Sequence, residues 1–486
     1  MNCKVARMLI VGLLSLYGPQ AVYAQPNTFN VLYTFPALPG AVNLPTTTNS
    51  VGGFAGAGLS LSNNTLFGTA VFGGILGGGT IFRVNTGGSD FTNLHNFPIG
   101  TNEGDQPTGS ILLGNTLYGT TEVGGSGSHG TVFRISTDGS GFTNLHSFAP
   151  TTNFVYTNAD GIQPLGGVII SGNTLYGTAE AGGKSGNGTV FRLITDGTGF
   201  TNLHSFALGN FDASQDNHYT NADGAGPYAG LILSGTTLYG TTEDGGMFGG
   251  GTVFRLNTDG SGFTNLQSLS LVDEYEQGGS YPSLVLSGNT LYGTAGEVSS
   301  GSAGAIFRLN TDGSDFTNIY VFTGGADGTQ PHGLILSRDT LYGTATLGGS
   351  GGSGTLFAVN TNGANFTVLY SFTSAPASTN SDGANPRGGL TLSGNTLYGT
   401  ANFGGIWGAG TVFSLTLLPP LSIALAGKQL AISWPAWATN FTLQTATDLA
   451  STTWSNITNG FTTSGTNYFF GTNVTNYAAY FRLRQQ

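Results

Sequence analysis

The chain has 486 residues, of which 82 are glycine and only 8% are charged. An apolar share of 38% is too high for a disordered chain, and glycine without a G-X-Y period excludes collagen. A net charge of −11, with 13 basic residues and no run of them, excludes a nucleic-acid binder, which needs clustered Lys and Arg to displace phosphate counterions.

The first element is a targeting segment. Lys4 and Arg7 precede the apolar residues 8–16, and Val22-Tyr23-Ala24 places small residues at the −3 and −1 positions of a cleavage site. Residues 1–24 therefore read as a secretory signal peptide, and a secreted, outer-surface or periplasmic mature chain is expected. The apolar run is too short to span a bilayer, so no transmembrane span is expected after cleavage. Cys3 is the only cysteine and lies in this segment, which excludes disulfides, thiolate nucleophiles and Cys-ligated metals from the mature chain.

A unit then recurs seven times. Its core is LFGT at Leu66, then LYGT starting at Leu117, Leu175, Leu238, Leu291, Leu341 and Leu397, with spacings of 51, 58, 63, 53, 50 and 56 residues. Each copy continues into G-T/A-V/I/L-F, and the first six into a Gly/Asp/Asn turn and F-T-x-L/I. Four short strands on a period near fifty predict a seven-bladed β-propeller over residues 25–418. In the fourth unit the strands are expected at 230–234, 238–241, 251–257 and 263–269. The Asp-Gly turn between the third and fourth is a hairpin signal, so blade boundaries fall in the long variable connection after the fourth strand. That register leaves residues 29–35 (FNVLYTF) without a blade before them and the last unit without a fourth strand. An N-terminal strand closing the ring against residues 410–417 is the prediction.

After Pro419-Pro420 the pattern stops and three of the four tryptophans appear, Trp434, Trp437 and Trp454. Alternating runs such as QLAISW (429–434) and FTLQT (441–445) suggest about six antiparallel strands in residues 419–486, a small immunoglobulin- or fibronectin-like β-sandwich with its Trp residues as core.

The composite LYGT-[TA]-x-x-GG-x-x-x-x-GTVFR-x-x-TDGSGF-T-x-L-HSF closely resembles the GloVer tandem repeat over residues 29–417. The resemblance implies a propeller in an exported bacterial protein of the kind with a choice of C-terminal anchors, and implies no catalytic activity. The chain ends in Tyr480-Phe481-Arg482-Leu483-Arg484 without a terminal apolar helix, so the tail itself is the expected sorting or attachment module.

In a blade whose strands run alternately up and down, the loop leading into the first strand and the loop joining strands two and three share one face. That face carries the length variation, and variable loops on a rigid frame are where binding sites lie. Five lead-in loops place a carboxylate four residues before a proline: Glu103, Asp160, Asp223, Asp327 and Asp382. They read either as an incomplete ring at the channel mouth, suited to calcium or a polyol, or as turn-stabilising side chains. Glu122, Glu180 and Glu243 follow LYGT-T/A in consecutive units; blade spacing is expected to separate them as solvated loop carboxylates. Loop aromatics (Phe154, Tyr156, Phe211, Tyr219, Phe72, Phe248, Phe403 and Trp407) would stack on sugar rings or cover blade edges. His95, His146 and His204 share one position with Tyr33, Gln267, Tyr320 and Tyr370, which reads as surface.

No catalytic residues, metal ligands or cofactor are assigned. The expected function is an exported, monomeric, non-enzymatic binding propeller whose partner is a polysaccharide or cell-surface protein. The alternatives are a carbohydrate-active lyase or hydrolase using the loop carboxylates, and a structural or adhesive envelope component.

Overall fold

The computed structural model describes residues 27–38, 48–151, 157–212, 218–270, 283–296, 303–419, 422–426, 429–435, 441–446, 453–464, 467–473 and 480–485. They form an all-β chain in which no helix is long and apolar enough to cross a membrane. It divides into two compact units, one holding Asn30–Leu392 with Tyr398–Ser414, the other taking in Ser393–Leu397 and the chain from Leu415 onward.

Within the repeat, each of the seven copies builds a four-stranded antiparallel sheet. The fourth copy supplies Ile232–Ser234, Thr237–Thr242, Gly249–Asn257 and Thr264–Ser270, paired in that order. The last copy has Thr391–Ser393, Thr396–Ala401 and Thr411–Thr416, and its fourth strand is Thr28–Thr34. Phe35 N–H donates to Gly410 O at 3.0 Å at the end of that pairing. The N-terminal closure expected from the register is present.

The repeated words have steric reasons. The glycine of LYGT lies opposite the phenylalanine of GTVF, as Gly240 does opposite Phe254. A Cβ at Gly240 would sit 2.5 Å from Phe254 Cζ, and one at Gly68 would sit 2.6 Å from Phe82 Cζ. The ring therefore needs the bare backbone beneath it. The Asp-Gly turn glycine has positive φ, +88° at Gly260, and meets Leu203 O of the preceding sheet at 3.0 Å from a notional Cβ. Between the third and fourth strands each of the first six sheets carries a bulge, Val253/Phe254 in the fourth copy.

Successive sheets are strapped together. The residue before the lead-in proline, or its equivalent, takes left-handed φ at Phe54, Gln106, Gln163, Gln330 and Asn385. Its N–H reaches back to the preceding copy: Gln163 to His129 O, Gln330 to Ala303 O, Asn385 to Ser353 O. Phe54 N–H donates to Ala409 O of the last copy, and Thr400 Oγ1 donates to Ala57 O. The first and last copies are thus neighbours, and the arrangement is propeller-like.

The tail forms two antiparallel sheets. One orders Ser422–Ala426, Gln429–Pro435, Asn467–Asn473 and Phe461–Ser464; the other orders Ser455–Asn456, Phe441–Ala446 and Tyr480–Gln485. Leu430, Ile432, Trp434, Phe441, Leu443 and Phe481 share a buried cluster, with Trp434 edge-on to Phe461 at 5.3 Å. Trp434 is core as expected, Trp454 is half-buried, and Trp437 lies outside the described residues.

Candidate functional site

The five lead-in carboxylates do not ring a channel mouth. Each turns outward to the fourth strand of the preceding sheet. His146 Nε2 lies 2.9 Å from Asp160 Oδ2, His204 Nε2 lies 2.9 Å from Asp223 Oδ2, and His95 Nε2 lies 3.0 Å from Glu103 Oε2. Tyr320 and Tyr370 donate through their hydroxyls to Asp327 and Asp382. The backbone N–H of Ala149, Ala207, Thr323 and Thr373 donates to the same carboxylates. The histidine or tyrosine is also covered by a phenylalanine of the following copy, Phe200 on His146 at 3.8 Å and Phe366 on Tyr320 at 3.7 Å, rings nearly parallel.

These are joints between sheets. Asp160 and Asp382 are buried, and the histidine side chains are only 18–20% exposed, which corrects their reading as surface positions. Burial would raise the Asp327 carboxyl, but hydrogen bonds from Thr323 and Tyr320 outweigh it and hold it below its ordinary value. Burial beside Asp327 pushes the Tyr320 hydroxyl up to about 12. The threonine of GTVF completes the joint, Thr189 Oγ1 donating to Asp160 O and Thr411 Oγ1 to Asp382 O. Among the described residues no cluster of His, Cys, Asp and Glu could hold a metal ion.

The concave site lies elsewhere. A cavity of about 660 Å³ is lined by residues from all seven copies. Its wall includes the residue that follows the lead-in proline or its equivalent: Gly56, Thr108, Leu165, Tyr228, Ser283, His332 and Arg387. No two copies agree at this position, although the two residues after it are both Gly or Ala in four copies. Close approach explains those small residues: a Cβ on Gly388 would stand 2.6 Å from Ala57 O. None of the five lead-in carboxylates lines this cavity.

Three sides of the wall differ in chemistry. Phe54, Phe72 and Phe403 form an aromatic wall, Phe54 edge-on to Phe72 at 5.8 Å and to Phe403 at 5.2 Å. His332 and Arg387 stand on consecutive copies; burial first, and the Arg387 charge second, push the His332 imidazole down to about 4, so it is neutral at pH 7. Glu122 lines the cavity and accepts from Gln163 Nε2 at 3.4 Å.

Glu122, Glu180 and Glu243 are half-buried and close enough to feel one another, which corrects the expectation that blade spacing isolates them in solvent. Burial raises Glu122 against the Gln163 hydrogen bond, with the Asp105 charge adding to the rise. Glu180 is raised by burial, then by the charges of Glu122 and Asp244. Glu243 is pushed up to about 7 by burial, then by Asp244 and Glu180.

Of the remaining aromatics, Trp407 and Phe248 are exposed at loop tips beside Ile406 and Met247. Tyr219 lies in the strand His218–Thr220, opposite Phe211 in Asn210–Asp212. Tyr156 and Phe154 lie outside the described residues. Sequence reasoning missed Tyr228, His332 and Arg387. Their signal was the unlike residue after each repeated proline.

The Gloeobacter/Verrucomicrobia repeat matches residues 16–216, 209–413 and 269–478. The chain belongs to this repeat family. None of the curated proteins matches it in sequence. Among solved structures it is similar to an oligogalacturonate lyase in complex with manganese, at 10% identity and TM-score 0.43, covering 81% of this chain and 97% of that one. A puromycin-hydrolyzing peptidase from Mycobacterium tuberculosis is 12% identical with TM-score 0.44, over 84% of this chain and 62% of that one. TolB from Acinetobacter baumannii is 11% identical with TM-score 0.33, over 74% and 78%. Likeness at this level says nothing about activity.

Proposed function

We propose that this Gloeobacter/Verrucomicrobia repeat protein is an exported, monomeric seven-bladed β-propeller that binds a glycan in its central cavity. Residues 1–24 are the signal peptide, 25–418 the propeller, and 419–486 an immunoglobulin- or fibronectin-like sandwich for attachment. One observation carries the binding reading. The position after the lead-in proline differs in all seven copies and lines the cavity, while the proline before it recurs in six copies and the residue after it is Gly or Ala in six. A ligand without sevenfold symmetry requires unlike groups on a symmetric ring, and a scaffold position does not. The Phe54, Phe72 and Phe403 wall, with Asn402 next to Phe403 and Tyr228 on the fourth copy of the ring, supplies what a sugar uses, an apolar face and polar groups.

The test is a glycan array probed with residues 25–486, with and without calcium. Binding that is lost in Phe403→Ala and Tyr228→Ala, with melting temperature kept, is the expected result. No binding in either condition sinks the glycan reading. A second reading, a lyase or hydrolase, is favoured by the Glu243 carboxyl standing near 7 beside two more raised carboxyls. New chain ends released from a bound glycan by the wild type and not by Glu243→Gln would establish it.

A further inference from the structure

We infer that Arg387 makes the cavity an acidic-glycan site, binding the anionic substituent of a sugar whose ring lies on the Phe54, Phe72 and Phe403 wall. The inference rests on the glycan reading above and names the class of sugar. Arginine has a regular place in this chain. Arg83, Arg134, Arg192, Arg255 and Arg308 all follow GTVF or its equivalent; the turn aspartate of the next copy, held below its ordinary pKa chiefly by a Ser or Thr hydroxyl, is lowered a little further by each of the first four arginines. Arg387 breaks that pattern. It stands at the variable cavity position, where the other copies have Gly, Thr, Leu, Tyr, Ser and His.

Arg387 is exposed in the cavity wall, and among the described residues it forms no ion pair; the pairs found are the three histidine–carboxylate joints. In a chain with 24 acidic and 13 basic residues, a guanidinium left without a carboxylate is available to a ligand. Its fork of donors fits a carboxylate or sulfate in two-point contact. The neighbours suit the rest of a sugar. Asn402 offers hydrogen bonds, His332, neutral at pH 7, adds no competing charge beside Arg387, and the aromatic wall on the same and the next copy takes the C–H face. The acidic side of the cavity, at Glu122, lies on the second copy and orients the ligand by repelling its anionic end toward Arg387.

Calorimetry of the mature protein with calcium-free alginate oligomers, their esterified form, dextran and dextran sulfate tests this. A charge-assisted contact predicts that alginate binds at least about 10-fold more tightly than its ester, and that Arg387→Gln removes this preference. Arg387→Lys should keep part of it, and the melting temperatures should be unchanged, since the side chain is exposed. The same Arg387-dependent gain for dextran sulfate over dextran identifies a sulfate ester as the source of the charge, with the anionic subsite standing. Equal binding of charged and neutral forms, or a preference that survives Arg387→Gln, overturns the inference and leaves the glycan reading intact. Arg387-dependent binding matched by acetate alone keeps the anion site and removes the glycan.

Discussion

Asp160 shows how much one side chain does in this repeat. It holds His146 and the Ala149 N–H, while its own carbonyl takes the Thr189 hydroxyl. Asp160→Ala would leave the Ala149 donor without its carboxylate, so urea denaturation should report a loss of about 1–3 kcal/mol. Glu243 gives a pH dependence. Its carboxyl is raised from 4.5 to about 7, so the folded state holds the proton more tightly, and the stability this brings is present at low pH and lost as pH rises through that window. Glu243→Gln, judged against the charged neighbours Asp244 and Glu180 that face it, should therefore gain melting temperature over the wild type progressively from pH 4.5 to 7. A difference that is flat with pH would contradict the assignment. The joints were half legible in the sequence. The chain pairs His or Tyr with a lead-in acid five times, and puts Gln267 where the acid is replaced by Gly278. Reading the strand position by itself suggested surface; reading it against the loop would have shown a partner.

At the scale of the strand, LYGT and GTVF are one steric device rather than two words. Gly240→Ala should cost about 1–3 kcal/mol by overpacking against Phe254, and trimming that ring in Gly240→Ala/Phe254→Leu should recover part of the loss. Denaturant midpoints of the two single variants and the double variant check this. Strand positions were legible to within about two residues because alternation and Asp-Gly turns act locally. The loops were less so, since their anchors change with length. In the longer lead-in loops the amide oxygen of Asn158 or Asn221 accepts two glycine N–H groups, whereas in short ones a backbone carbonyl, Thr101 or Gly325, accepts both. A backbone group leaves no trace in composition.

For the whole molecule, ring closure is the feature on which stability turns. Phe35 is fully buried, edge-on to Phe82 of the first sheet at 5.4 Å, so it ties the seventh sheet to the first. Phe35→Ala should cost about 3–5 kcal/mol, seen as one cooperative shift in thermal unfolding of the repeat. The ring was legible from the repeat itself, because seven copies of one sheet with an odd strand at each end leave few ways to close. The cavity was not, because repeat reading rewards what is shared, and the chemistry of the cavity wall comes from a position at which no two copies agree.

The closing strand also sets an order of events. Thr28–Thr34 is made first, and its partner Thr411–Thr416 is made last, so the earliest strand must wait for nearly the whole chain. During that interval the same strand of a second molecule fits the same edge. Refolding at rising protein concentration should therefore give a growing share of strand-exchanged dimers, separable by size, that convert to single rings only on unfolding.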